Sequence, residues 1–368
     1  MKEIPSRWEH GSEFHLFSYD QQNSISIPWS DSGQLFGSGR YAFRALLQHG
    51  VATRGWRRLW MPSYFCPPVV TAALSTGIKV AIYDDGPENI QPDFKLLDFR
   101  KGDVLHLSNY FGLRTKYSAL NIDRSLIEVI ENHTHDPWST WARTSNADWC
   151  IASLRKTLPI PDGGIVWTPK GHQLPEAAPV SDLHQSASLE KLAAMVLKNL
   201  YLEGKQIDKE VFRRMAVSSE NLLAAGEISG IPDWTANMLG TFPVEEWRQQ
   251  RRRNHRVLVN ALANVSWLSV LMPADGADVT PFAGILIFDN AARCRHIRQA
   301  LAASHIYTAV HWSLDEPVIK GIQQKHIDLS SRLFSVHCDM RYIDADMEYV
   351  ASLIYKFGEE YCEGGSAS

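Results

Sequence analysis

The sequence has no CxxC pair, and its five cysteines, Cys66, Cys150, Cys294, Cys338 and Cys362, are scattered and odd in number. That pattern argues against a disulfide framework or a thiolate zinc site and fits a reducing compartment. No apolar run approaches the ~20 residues that span a bilayer. The polar opening MKEIPSRWEHGSEFHLFSYD lacks the apolar core of a signal peptide, so a soluble, cytoplasmic protein is expected. Nor does one sign of charge dominate: 37 basic against 41 acidic side chains leave −4, too little for a polyanion-binding field. The densest basic stretch, RQQRRRNHR (248–256), lies in a helical pattern and reads as a solvated helix face, with no nucleic-acid motif beside it. Internal repeats and low-complexity segments are absent as well. What is there is an ordinary globular composition, 45% hydrophobic over 368 residues, enough chain for two domains.

Strands and helices alternate through the first half. RRLWMP (57–62) reads as a short buried strand, and PPVVTAALSTG (67–77) as a helix beginning on proline and ending on glycine. Further strands are expected at 79–85, 103–109, 125–131, 148–154 and 164–168. These runs are apolar at odd and even positions alike, the pattern of strands covered by helices on both faces. The alternation predicts an α/β domain with a mostly parallel sheet. From about Pro169 to Leu239 the pattern turns helical, with Leu189, Leu192, Val196 and Leu200 expected on one apolar face. A long helix is expected over 244–264. Strands at 282–289 and 332–338 and helices at 291–304 and 344–361 then predict a smaller α+β domain. The expected divisions are an arm over 1–32, a large domain over 33–240, a small domain over 241–362 and a disordered tail over 363–368.

In an open α/β sheet, ligands bind beyond the carboxyl ends of the strands. Four places there could carry chemistry. GSGRYAFRALLQHG (37–50) opens a helix on Ser38, Gly39 and Arg40, an end suited either to a phosphate or to an ordinary cap. EVIENHTHDPWS (128–139) ends a strand in Glu131, Asn132, His133, His135 and Asp136. On an extended chain the two histidines would share a face, as metal ligands do. No further ligand is identifiable, so a hydrogen-bonded binding loop without metal is the reading. NYFG (109–112) is a third strand end with a glycine turn. The fourth, SLRKTLPIPDGG (153–164), brings Lys156 out of a buried strand into a constrained loop. A surface lysine would satisfy that spacing; so would an amine desolvated enough to attack an aldehyde.

Taken in order, SGR (38–40), MPSYFCPPVV (61–70), NYFG, VIENHTH, SLRKTLPIPDGG and CDMRYIDADMEYV (338–350) resemble the DegT/DnrJ/StrS-type sugar aminotransferases, pyridoxal-phosphate enzymes of fold type I. The resemblance is to a divergent branch associated with surface-glycan and secondary-metabolite genes. It covers about 33–170 and, more loosely, 240–352. It implies a large α/β domain with a mostly parallel sheet, a smaller C-terminal α+β domain and pyridoxal 5′-phosphate as cofactor. An amino donor and a keto acceptor would be the substrates, and a homodimer with interfacial active sites the assembly. Lys156 matches the lysine that condenses with the cofactor, and Ser38, Gly39 and Arg40 match its phosphate turn. Phe65 and Cys66 fall where a ring usually covers the pyridine. Asn109, His135 and Ser153 fall at cofactor-binding positions, and His311 and Arg341 at a substrate pocket between domains.

Asn132 departs from the pattern. The family places there an aspartate that keeps the pyridine nitrogen protonated, and an amide can hydrogen-bond that nitrogen without stabilising its charge. The loss would cost a few kcal/mol, on the order of a hundredfold in rate. Glu131 or Asp136 could supply a carboxylate instead. Three readings follow: a keto-sugar aminotransferase, a pyridoxal-phosphate enzyme of other chemistry, or an aminotransferase-like scaffold without catalysis.

Overall fold

The computed structural model describes residues 7–17, 29, 32–89, 91–117, 122–274 and 278–365. Its main sheet joins strands β2 (Gly33–Phe36), β3 (Arg58–Pro62), β4 (Lys79–Tyr83), β5 (Asp103–Ser108), β6 (Ile127–Asn132), β7 (Trp149–Ser153) and β8 (Gly164–Trp167) in the order β2-β8-β7-β6-β5-β3-β4. The five from β7 to β4 are parallel; β8 runs antiparallel to β7, and the edge strand β2, antiparallel to β8, shares the direction of the five. Strand parity sorts the apolar residues into two cores. Leu59, Met61, Val104, Ile130, Ile151 and Val166 meet Phe43, Leu46 and Leu47 of helix α1 (Gly39–His49) and Val70 of α2 (Pro67–Leu74). Trp60, Leu105, Val129, Cys150, Ile165 and Trp167 face the other way, toward Phe242 and Trp247. Burial on both faces is why the strand sequences show no alternation. The edge strand β4, partly exposed, is the exception.

Short α3 (Thr140–Arg143) follows β6, and α4 (Asp182–Leu202), α5 (Lys209–Ala225) and α6 (Asp233–Met238) fill the middle. Here one expectation is reversed. The buried face of α4 is His184, Ala187, Ser188, Lys191, Ala194, Met195 and Lys198. Of the expected apolar face, Leu189 (48%) and Val196 (37%) are exposed, and Leu192 and Leu200 are half-buried. Lys191 and Lys198 turn inward because each finds oxygen partners there, Lys191 the carboxylates of Glu13 and Glu220, and Lys198 Ser12 Oγ at 2.9 Å.

The remaining chain builds a three-stranded antiparallel sheet, β12-β10-β9, from β9 (Leu268–Val270), β10 (Ala283–Phe288) and β12 (Leu333–His337). Helices α7 (Val244–Leu262), α8 (Ala291–Ala303), α9 (Gln324–Ser331) and α10 (Asp344–Gly365) pack around it. Its core holds Leu258, Leu286, Phe334, Met347 and Ile354. Helix α10 continues to Gly365, three residues into the expected tail; 366–368 lie outside the described residues, as does most of the expected arm. What is described of that arm pairs β1 (His10–Gly11) in parallel with β11 (Ile306–Tyr307). The basic stretch of α7 is not one solvated face. Arg253 is exposed, but Arg248 and Arg251, one turn apart, are 2% and 3% exposed. Arg248 is drawn in by Asp136, which it grips with Nε at 3.1 Å and Nη2 at 3.0 Å.

Candidate active site

The carboxyl end of β7 opens into a cleft of about 600 Å³ between the two sheets, lined by residues of both and by Ser12–Phe14. The segment 154–164 after β7 is tied at each end. Leu154 N–H donates to Gly163 O (3.1 Å), and Gly163 N–H donates to Gly37 O (2.8 Å). A Cβ on Gly164 would sit 2.3 Å from the Ser38 carbonyl carbon, and one on Gly39 2.6 Å from Ser153 Cβ. The loop and the turn before α1 therefore approach too closely for a side chain at either glycine. Fully buried Asp162 adds a bond to α4, its Oδ2 2.8 Å from His184 Nε2. These constraints hold the lysine and the helix start in one fixed relation.

Lys156 ends a 3-10 turn, and its exposed side chain lines the cleft. Loss of water, then the charge of Arg155, lowers its pKa; Cys66 and Glu220 oppose, and Arg40 lowers it further. A lowered ammonium pKa leaves more free amine near neutral pH, which is what attack on a carbonyl requires. Arg155 is engaged bidentately by Glu220, which also meets Lys191 at 3.1 Å. Arg40 has no ion pair or side-chain hydrogen bond among the described residues. Ser38 caps α1, its Oγ accepting from Tyr41 N–H (3.1 Å). An unpaired guanidinium beside a helix N-terminus suits an anionic oxygen cluster.

Asn132 reaches the cleft from β6, with Oδ1 accepting from Thr134 N–H (3.0 Å) and Nδ2 3.4 Å from His106 Nε2. Burial pushes the His106 pKa down to about 3, so its ring is neutral. Neither Glu131 nor Asp136 takes the place of the missing aspartate. Glu131 lies on the opposite sheet face with His133 Nε2 (3.1 Å) and Ser145 Oγ (2.6 Å), and Asp136 is held by Arg248. The two histidines part at the turn through Thr134. His133 joins Glu131 and Cys150, whose ligand atoms lie within 4.8 Å of one another, away from the cleft. His135 faces the cleft, its Nδ1 accepting from Phe111 N–H (3.0 Å). That bond leaves the proton of the neutral ring on Nε2. Burial first, then Lys156, lowers the His135 pKa to about 3.

Phe65, Cys66 and Ser153 line the cleft; Phe65 stands edge-on to His106 at 4.8 Å. Asn109 does not line it. Its Oδ1 accepts from Arg114 N–H (3.1 Å) and its own N–H donates to Asn132 O, so it braces the loop while neighbouring Ser108 reaches the cavity. His311 and Arg341 line the far wall. His311 Nε2 lies 2.9 Å from Ser335 Oγ, and burial holds its pKa well below the ordinary value. Arg341 is committed elsewhere: Nε and Nη2 bond Asp339 at 2.8 Å each, and Nη1 donates to Glu13 O. Sequence reading missed Glu220, Lys191, Arg251 and Trp312. The ring of Trp312 stacks near His135 at 6.1 Å. Glu220 and Lys191 sit in no motif, Arg251 lies in the basic stretch read as a solvated face, and Trp312 adjoins His311; their convergence on the cleft is what marks them.

No protein-family model matches the sequence, and no curated protein matches it. Solved structures do resemble it. PseC of Helicobacter pylori, an aminotransferase in pseudoaminic acid biosynthesis, matches with TM-score 0.61 and 12% identity over 96% of this chain and 100% of that one. The putative sugar aminotransferase Spr1654 of Streptococcus pneumoniae, in its PMP form, matches at 0.62 and 14%, covering 91% and 89%. A DegT DnrJ EryC1 StrS aminotransferase from Brucella abortus gives 0.57 and 15%, covering 89% and 86%. At such identities the likeness establishes the architecture. The chain has the fold of the fold-type-I aminotransferases, with a mostly parallel central sheet.

Proposed function

We propose that the chain is a pyridoxal-phosphate-dependent aminotransferase moving an amino group from a donor such as glutamate to a keto-sugar of the nucleotide-linked class. One observation carries the reading. Lys156, with its lowered pKa, shares the cleft with Arg40, which has no partner among the described residues, at a helix start, and a double glycine contact fixes the two together. The residues fit the group: Ser38, Gly39 and Arg40 would hold the phosphate, and Phe65 and Cys66 would flank the ring. His135 would lie beside it, and Asn132, backed by His106, would meet its nitrogen. When bound, pyridoxal phosphate supplies the electron sink that lets an amino group leave one carbon for another. Lys156 Nζ would take the aldehyde and later carry the proton between substrate and cofactor carbons. Glu220 holds Arg155 aside, which keeps the Lys156 amine from facing two unscreened cations.

The exposed Leu189 and Val196 of α4 support a homodimer, and the net charge of −4 gives no support for a nucleic-acid partner. Among the described residues no helix is long and apolar enough to cross a membrane. A second reading, pyridoxal-phosphate chemistry that needs less carbanion stabilisation, is favoured by the neutral Asn132–His106 pair. The test covers both. Purified protein should bind pyridoxal phosphate with a yellow absorbance that borohydride removes and that Lys156→Ala lacks. Glutamate should then bleach it by amino exchange. A bound cofactor inert to every amino donor sinks the aminotransferase reading and leaves the second. Failure to bind the cofactor at all sinks both and leaves the scaffold.

A further inference from the structure

Arg251 is 3% exposed, lines the cleft, and makes no hydrogen bond or ion pair to any described residue; its Nε is buried without a partner. The charged groups around it are Asp339, Asp136 and Arg248, with the thiol of Cys338 beside them. Both carboxylates are already matched, Asp136 bidentately by Arg248 and Asp339 bidentately by Arg341. Arg251 is thus a cation without an anion of its own. A guanidinium stays protonated even where burial lowers its pKa, and a buried charge without a partner costs several kcal/mol. Packing alone gives no reason to keep it, since methionine would fill the same apolar volume.

The cleft has two cationic poles. Arg40, Arg155, Lys156 and Lys191 gather around Glu220 at one. Arg251 and Arg341 line the cleft as the other, together with the neutral rings of His135 and His311, and of these two Arg251 has no carboxylate partner among the described residues. A single planar fork with one uncompensated charge is matched by a planar monoanion rather than by a diphosphate.

We propose that Arg251 is the receptor for the carboxylate of the amino-donor substrate, a 2-amino acid and its 2-oxo acid. The identity of that ligand rests on the function proposed above; the existence of an anion site at Arg251 does not. Arg341, the arginine that the sequence pattern put forward, cannot take this role while Asp339 occupies its fork.

The test compares the wild-type holoprotein with Arg251→Met and Arg251→Lys by thermal melting and by titration with 2-oxoglutarate and with uridine diphosphate. Without ligand, Arg251→Met should melt higher by roughly 2–4 °C, because a costly buried charge is gone. Its affinity for 2-oxoglutarate should fall on the order of 10- to 100-fold, with Arg251→Lys in between and uridine diphosphate binding unchanged. Cofactor absorbance should stay at the wild-type level in both variants. A lower melting temperature in Arg251→Met, or undiminished 2-oxoglutarate binding, overturns the assignment. So does loss of uridine diphosphate binding in place of 2-oxoglutarate binding. Should the wild type bind no cofactor, the function proposed above falls, while the melting and titration results still decide the anion site.

Discussion

In the proposed function, Asn132 is the residue on which the chemistry would turn. Its amide is fixed by Thr134 N–H on one side and lies 3.4 Å from the neutral His106 on the other, so nothing there can hold a protonated ring nitrogen by charge. Asn132→Asp should therefore restore the electron sink. Amino exchange with glutamate is expected to speed up about 10- to 100-fold, equivalent to ~1.4–2.8 kcal/mol of barrier. Stopped-flow bleaching of the cofactor absorbance measures it, and a slower Asn132→Asp enzyme would show that the amide is tuned for different chemistry. Sequence spacing marked Asn132 as the anomaly. It left open whether Glu131 or Asp136 compensates, because strand parity is unreadable where both faces are apolar. The sheet settles that point by turning Glu131 to the opposite side and pairing Asp136 with Arg248.

At the scale of elements, the loop 154–164 is one joint with the turn before α1. The two glycine contacts leave no slack, so the phosphate turn cannot shift without moving the lysine. Gly164→Ala would push its Cβ against the Ser38 backbone and should lower stability by about 1–3 kcal/mol. Cofactor affinity should drop at least tenfold in fluorescence titration while the secondary structure persists. Unchanged affinity would mean the turn is not the phosphate's seat. Helix α4 teaches the reverse lesson. Its leucine periodicity is real, yet Leu189 and Val196 face out because the inward side must supply Lys191 and Lys198 to partners at the cleft. If that outer face is a dimer seam, Leu189→Glu with Val196→Glu should give monomers by light scattering. A dimer that survives both changes places the seam elsewhere.

Across the whole molecule, buried neutral histidines tie stability to pH. His10, His106 and His135 each have a folded pKa of about 3, lowered chiefly by burial. Their unfolded value is about 6.5. A depressed folded pKa contributes stability that is fully present above the unfolded value and is lost as pH falls from about 6.5 toward 3. Each histidine costs up to ~1.4 kcal/mol per pH unit well inside that window and about 1 kcal/mol over its first unit, so the three together should remove about 3 kcal/mol between pH 6.5 and 5.5. Urea midpoints at pH 7.5 and 5.5 measure the effect. Equal midpoints would mean that these rings take up protons without unfolding.

The sequence by itself determined the alternation of buried strands and helices, the parallel sheet and the lysine's place at a strand end, because each depends on local pattern and on neighbours close in the chain. Tertiary structure alone decided which side of β6 faces the cleft, that Arg341 is held by Asp339, that α4 turns Leu189 and Val196 outward, and that Arg251 meets no partner among the described residues. Those outcomes depend on charges brought together from distant segments. Burial makes each such charge seek a partner or a ligand, and no periodicity in the chain encodes which one it finds.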